Sequence, residues 1–284
     1  MAKQSGWPTM RDTWRILPFS DAPMGRQLAL SEGMLAALAE TGLPALRWYI
    51  PTERALVLGN GQSAESADHA TLAAESTALY KRPSGGTAVL VDRTLLSLDI
   101  ALPHDHPLAT RDVVRAYEWV GELWATALRS LGASDARAIP TADVRAISPL
   151  TKDEPLRLAC YGALSPWEVV SDEPPRKLVG LCQVRRRAGT LFQTGVYLRF
   201  NAAALANLLA LTPDARGALS ARLACAAIGL NVAAGRPIAA RRIIAAVQRE
   251  LRGGHNARLT RAAWLPSELA TADELEFGRF ARLG

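Results

Sequence analysis

The sequence predicts an α+β fold with mixed, largely antiparallel sheets and flanking helices. Two observations carry that expectation. Short runs rich in Val, Leu, Ile, Tyr and Phe gather in two groups, over 45–102 and 156–200, with helical patterns before, between and after them. Single helices do not alternate with single strands, as the crossovers of a doubly wound sheet would require.

The elements follow in chain order. Residues 22–41, "APMGRQLALSEGMLAALAET", read as a helix with Asp21 as N-cap and Gly42 just past its end. "ALRWYI" and "RALVLG" read as strands around the turn "PTE", and a short helix follows near 64–76. "TALYKR", "TAVLV" and "LLSLDIAL" read as three more strands. Over 110–131, Val113, Tyr117, Val120, Trp124, Leu128 and Leu131 recur at steps of three or four and mark one helical face, which Gly132 ends. The stretch 140–155 reads as a loop. "LRLACYG", "WEVVS", "KLVGLCQVRR" and "TLFQTGVYLRF" read as strands. The Ala-rich tail from 201 reads as helices broken at Pro213, Gly235 and Gly253.

Composition narrows the classes. Hydrophobic residues make up 49% of the 284 and charged residues 21%, enough apolar material for a sizeable core. No apolar run is long enough for a membrane span, and the N-terminus lacks a signal-peptide core, so a cytoplasmic protein without membrane association is expected. Cys160, Cys182 and Cys225 are too few, and of the wrong parity, for a disulfide framework, and the sparse His and Cys argue against a metal site. The net charge of +6 comes mostly from scattered Arg and suits an acidic partner. Nothing shows the aromatic and basic interleaving of a single-strand binder, so no nucleic acid is expected. Neither a Gly-x-Gly-x-x-Gly nor a phosphate-loop Lys motif occurs.

One stretch asks for more than a structural account. In "YKRPSGGTAVLVD", residues 80–92, a Gly pair lies between two β-type runs. Taken locally it is a hairpin turn. Its small residues could equally let backbone amides close on an acyl carboxylate, thioester or phosphate.

The segment resembles the Arg-Arg-x-Ser-Gly-Gly-Gly-Ala-Val-x-His-Asp signature of the lipoate ligase and octanoyltransferase family. Arg82, Ser84, Gly85, Gly86, Ala88, Val89 and Asp92 match, while Lys81, Thr87 and Val91 depart from it. "LRWY" and "LGNGQ" are similar to two earlier blocks of that family. "RKLVGLCQVRRRAGTLFQTG" is similar to a later one, with Lys177, Gly180, Gln183, Arg185, Gly189, Gln193 and Gly195 matching and Thr194 in place of a His. "CYGALSPWEVV" resembles the block of the cysteine-dependent octanoyltransferases and lipoyl amidotransferases, with Cys160, Ser165 and Glu168 matching.

The resemblance implies a biotin/lipoate-ligase-like catalytic domain over 26–232, after an N-terminal extension over 1–25 and before a helical segment over 233–284. It implies Cys160 as the nucleophile and Lys177 as the charge that favours the thiolate and meets the substrate carbonyl. Arg82, Ser84, Gly85, Gly86, Ala88, Gly180, Gln183, Gln193 and Gly195 are implied in substrate binding. Cys182 and Cys225 are expected to be buried and inert. The implied substrates are octanoyl or lipoyl groups, taken from a carrier thioester or from a lipoylated carrier. No cofactor is required, with ATP and Mg entering only if the protein is a ligase. The implied partners are acidic lipoyl-carrier domains, namely the glycine-cleavage carrier protein and the acyltransferase subunits of 2-oxo-acid dehydrogenases, with acyl carrier protein as a donor. The alternatives are an ATP-dependent lipoate ligase and a non-catalytic acyl-binding protein.

Overall fold

In the computed structural model, residues 12–147 and 155–283 are described. Eight strands form the main sheet, in the order β11 (Arg258–Arg261), β1 (Thr13–Ile16), β2 (Ala45–Tyr49), β6 (Leu95–Pro103), β10 (Gly189–Tyr197), β9 (Arg176–Arg186), β8 (Val169–Ser171) and β7 (Arg137–Ala138). The three strands at one end pair in parallel and the rest antiparallel. A second sheet has the order β4 (Ala78–Lys81), β3 (Ala55–Leu58) and β5 (Val89–Val91). The fold is α+β and mixed, as the sequence predicts.

Every residue of β6 is buried, because both faces of the main sheet are covered. Leu98, Ile100 and Leu102 point one way, into a core shared with α4 (Glu118–Arg129) and α9 (Ala240–Gly254). The alternate residues, including Ser97, Asp99 and Ala101, face α1 (Met24–Ala36), which α2 (Leu38–Thr41) extends and α10 (Pro266–Phe277) packs against. The smaller sheet is covered by α3 (His69–Ala74), α6 (Ala202–Asn207) and α7 (Pro213–Ala226). A buried pair, Arg15 and Glu268 at 2.8 Å, ties β1 to α10.

Several elements differ from expectation. The first helix starts at Met24 with Pro23, not Asp21, at its N-cap position, while Gly42 does take the left-handed φ of +58°. β2 and β3 do not form a hairpin; the turn between them passes the chain from one sheet to the other. The periodic segment 110–131 is α-helical only from Glu118, after a 3-10 turn at Arg115–Tyr117, and Val113 is exposed. Residues 141–147 form a short helix, α5 (Thr141–Ile147), where a loop is expected, and 148–154 of that loop lie outside the described residues. "LRLACYG" is not a strand. It forms two 3-10 turns, Pro155–Leu158 and Cys160–Gly162, whose apolar side chains give it a strand-like composition. α9 runs through Gly253, and α8 (Leu230–Ala233) stops at Gly235, φ +64°. β1, β7 and β11 are additions that the sequence pattern did not mark. No described helix is long and apolar enough to cross a membrane.

Candidate active site

The Gly pair of the 80–92 segment is neither a free turn nor a strand. Residues 82–88 leave β4 and form a loop closed by the guanidinium of Arg82. That group donates to the carbonyls of Val57 (3.3 Å), Gly85 (3.1 and 3.3 Å) and Thr87 (2.8 Å). Gly86 has φ +87°, where a side chain is strained, and a Cβ there would stand 2.9 Å from Arg82. The "LGNGQ" turn lies against the loop. A Cβ on Gly59 would be 1.8 Å from the Gly86 carbonyl oxygen, and Asn60 N–H donates to the Ser84 carbonyl at 3.1 Å. Gln62 then bonds the Leu158 carbonyl at 3.1 Å.

That last contact reaches the segment carrying Cys160. Ala88 and Ala159 form a parallel bridge, with Cys160 N–H donating to the Ala88 carbonyl at 2.9 Å. Cys160 is therefore stitched to the glycine loop through backbone. Behind it, the Tyr161 hydroxyl donates to the Gly195 carbonyl at 2.7 Å, and the Tyr161 ring lies beside Gly180.

Two clefts meet at Cys160. The inner one is mainly apolar, walled by Met24, Leu28, Val57, Val91 and Leu95, with Gly180, Gln193 and Gly195 on its sheet side. The outer one carries more charged and polar side chains among apolar ones and takes Gly85, Gly86, Arg157, Lys177, Glu168 and Gln183. Arg82, Cys160, Leu181 and Cys182 border both. Ser84 is buried against the Cys182 sulfur, 3.4 Å away. Ala88 acts through its backbone. Gln183 turns away from the inner cleft and donates to the Val113 carbonyl at 2.8 Å. Burial pushes the Cys182 thiol up, which makes it a poor thiolate. Cys225 is exposed on α7, against expectation, because that helix presents an open face there.

Lys177 is 1% exposed and bonded twice through Nζ: to the Cys160 carbonyl at 2.7 Å and to the Glu168 carboxylate at 2.7 Å. Glu168 is 2% exposed and also accepts from Ser165 N–H at 2.7 Å. Burial pushes its carboxyl up, and the Lys177 ammonium offsets part of that rise.

The sheet floor beneath the inner cleft holds a second buried charge cluster. Arg47 and Asp99 are cross-strand partners, 2.8 Å apart and without exposed side-chain surface. Ser31 donates to Asp99 at 2.7 Å, Arg47 donates to Gln27 at 2.7 Å, and Gln193 reaches Ser31 at 3.5 Å. Sequence reasoning missed this cluster. The signal was there: a lone Arg in "ALRWY" and a lone Asp in "LLSLDIALP", both otherwise apolar strands. Thr194, which stands where the family signature has a His, turns into the core, accepting from Trp124 at 3.0 Å and donating to the Leu98 carbonyl at 3.1 Å.

The loop geometry sets a testable expectation. Gly86→Val should weaken acyl-ligand binding and acylation together, since its side chain would strain the backbone and displace Arg82. Arg82→Ala should do the same and also lower stability by about 1–3 kcal/mol, because buried carbonyls lose their donor. Calorimetry and single-turnover acylation of both variants check this; unchanged acylation in both would reduce the segment to a turn.

Comparison with known proteins bears on the whole chain. Residues 23–252 match the family described as lipoyl protein ligase A/B catalytic domain. An octanoyltransferase LipM from Kyrpidia tusciae is 28% identical over 266 residues, covering 93% of this chain and 94% of that protein. Another LipM, from Brevibacillus brevis, is 24% identical, covering 95% and 97%. Among solved structures, the archaeal bi-partite lipoate protein ligase studied with its E2 lipoyl domain from Thermoplasma acidophilum superposes with a TM-score of 0.76 at 16% identity, covering 95% of this chain and 93% of that one. Lipoate-protein ligase A bound with ATP gives 0.72 at 18% identity, covering 95% of each. With a family match that spans most of the sequence, and a fold shared end to end with solved lipoate ligases, the chain belongs to the lipoyl protein ligase A/B catalytic-domain family.

Proposed function

We propose that the protein is an acyltransferase that moves an octanoyl, or lipoyl, group from a carrier thioester to a lysine of a lipoyl-carrier domain through a thioester on Cys160. One observation supports this above the others: Cys160 stands where an apolar cleft meets a more polar one, with the Lys177 ammonium on its own carbonyl. The apolar cleft suits an acyl chain, at about 0.8 kcal/mol per buried methylene. The outer cleft suits the carrier arm that delivers the chain and the lysine that receives it.

In the first half-reaction the Cys160 thiolate attacks the donor carbonyl and the donor thiolate leaves. In the second, the carrier lysine, as free amine, attacks the Cys160 thioester. An amide forms, the Cys160 sulfur leaves, and the proton shed by the nitrogen returns to it. The two thioesters are of similar energy, so no ATP is consumed. The loop 84–86, braced by Arg82, positions the acyl carbonyl, and Lys177 stabilises the charge that develops on it. Gly180, Gln193 and Gly195 shape the sheet side of the acyl cleft. The net charge of +6 steers acidic carrier domains, with acyl carrier protein as donor.

The test is to mix the protein with octanoyl-acyl carrier protein and an apo lipoyl domain, without ATP, and weigh every species. The lipoyl domain should gain one octanoyl group. Modification that needs ATP and free lipoate would replace this reading with a ligase, and acyl binding without turnover would replace it with a binding protein.

A further inference from the structure

Among the described residues Glu168 is the one buried carboxylate lining the outer cleft, and neither half-reaction uses it. It lies just before β8, beside Trp167, whose φ of +70° is uncommon for a residue with a side chain. That backbone is held in place. Trp167 N–H donates to the Ile139 carbonyl at 2.7 Å, and Gly121 of α4 lets its carbonyl approach, since a Cβ there would be 2.2 Å away. A strained conformation is kept at the point where Glu168 turns inward.

Stability does not account for the pair with Lys177. Two charges buried together are often less stable than an apolar pair of similar volume. The pair also forms part of the wall of the outer cleft, and its lysine reaches the Cys160 carbonyl rather than a remote group. Each Nζ bond fixes a different thing: the bond to Glu168 fixes the charge, and the bond to Cys160 fixes where the charge stands.

We propose that Glu168 is a positioning residue for acyl transfer, anchoring the Lys177 ammonium against the backbone of the nucleophile and keeping it charged in a buried site. This rests on the reading of Cys160 and Lys177 given above. The other ionisable groups around the pair are Cys160 and Tyr161 on the 3-10 turn, Arg157 before it, Arg82 on the loop, Cys182 on β9 and Tyr117 ahead of α4. Neither Arg82 nor Arg157 can supply the missing negative charge, and burial pushes the Cys182 thiol and both tyrosines up, so they stay neutral near pH 7.

The experiment compares wild type, Glu168→Gln and Glu168→Asp, measuring Cys160 acylation and transfer to an apo lipoyl domain from about pH 6 to about pH 10. In Glu168→Gln, kcat should fall about 100-fold with KM for the acyl donor nearly unchanged. Its rate should also decline with rising pH at least about one unit earlier than wild type, because an unpaired buried ammonium gives up its proton more readily. Glu168→Asp keeps the charge but shortens the reach, so kcat should fall about tenfold with the wild-type pH profile. Wild-type kcat in either variant, or a Glu168→Gln loss that is uniform across pH, overturns the proposal. Should Glu168→Gln not fold, Glu168→Asp decides by the same criteria. Absence of any acyl adduct on the wild-type protein would overturn the reading of Cys160, and this proposal with it.

Discussion

Cys160→Ser is expected to abolish acyl transfer, by a factor on the order of 10⁴ or more, the scale of losing a covalent nucleophile. Among the described residues no histidine lines either cleft to take the proton of a serine hydroxyl at this site; the titratable side chains of the outer cleft besides residue 160 are Arg82, Tyr117, Arg157, Glu168, Lys177 and Cys182. Lys177 is already bonded to the carbonyl of residue 160 and to Glu168, and is not placed as a base for a hydroxyl. Intact mass after mixing with acyl donor should show one hydroxylamine-sensitive acyl group on wild type and none on the variant. An equal adduct on Cys160→Ser would remove the nucleophile assignment. Cys182→Ala should keep most of the activity: Cys182 is half-buried at the border of the two clefts rather than buried as expected, but desolvation pushes its thiol up; Cys225→Ala should too, since Cys225 lies on α7 outside both clefts at Cys160.

Lys177→Ala should be nearly as damaging, and in two separable ways. Turnover should fall by about 3–4 kcal/mol of transition-state stabilisation, the scale of losing an oxyanion partner. Stability should fall too, by about 3–5 kcal/mol, because Glu168 is left buried without its counter-charge. The sign of the pH dependence follows. Without Lys177 the folded protein holds the Glu168 proton to higher pH than the unfolded chain does. The folded state then binds more protons, and stability declines as pH rises. The melting temperature of Lys177→Ala should therefore drop between about pH 5 and about pH 8 by more than that of wild type. Lys177→Arg should not rescue turnover, since a planar fork cannot occupy a point-charge site closed by one carbonyl and one carboxylate. Combining Lys177→Met with Glu168→Gln should restore much of the stability and none of the turnover. A variant at Lys177 with wild-type rates would return that residue to a structural part.

The sequence carried the main features of the fold where local pattern and tertiary environment agree. β6, β9 and β10 read correctly because they are long and rich in β-formers, and the buried face of α4 read correctly from Val120, Trp124 and Leu128. It failed where composition and conformation part. "LRLACYG" is as apolar as a strand, yet its backbone curls into two 3-10 turns so that Cys160 can meet Ala88. "TWRI" and "RLTR" are too short and too charged to announce strands, and depend on each other for pairing. At the site, residue identities were legible and directions were not. Arg82 reads as a free cation and is spent on four bonds to three carbonyls. Lys177 reads as a lone charge and is half of a pair whose other member, Glu168, precedes it by nine residues and lies just before a different strand, β8. Arg47 and Asp99 each stand out as a lone charge in an apolar strand, but nothing in local sequence says that the two are partners across the sheet.

The pairing of β1 with β11 has a consequence for synthesis. β1 is made long before β11 and shares only two register positions with β2, but four with β11. Its arginine also waits for Glu268, 253 residues later. A nascent chain on the ribosome thus carries an unpaired strand edge until β11 has been made, and such an edge can template pairing with a neighbouring chain. Ribosome-bound intermediates lacking β11 and α10 should be the forms that need a chaperone, and stop codons placed shortly before Glu268 should send the product to aggregation or proteolysis, although the residues lining both clefts at Cys160 would already have been made.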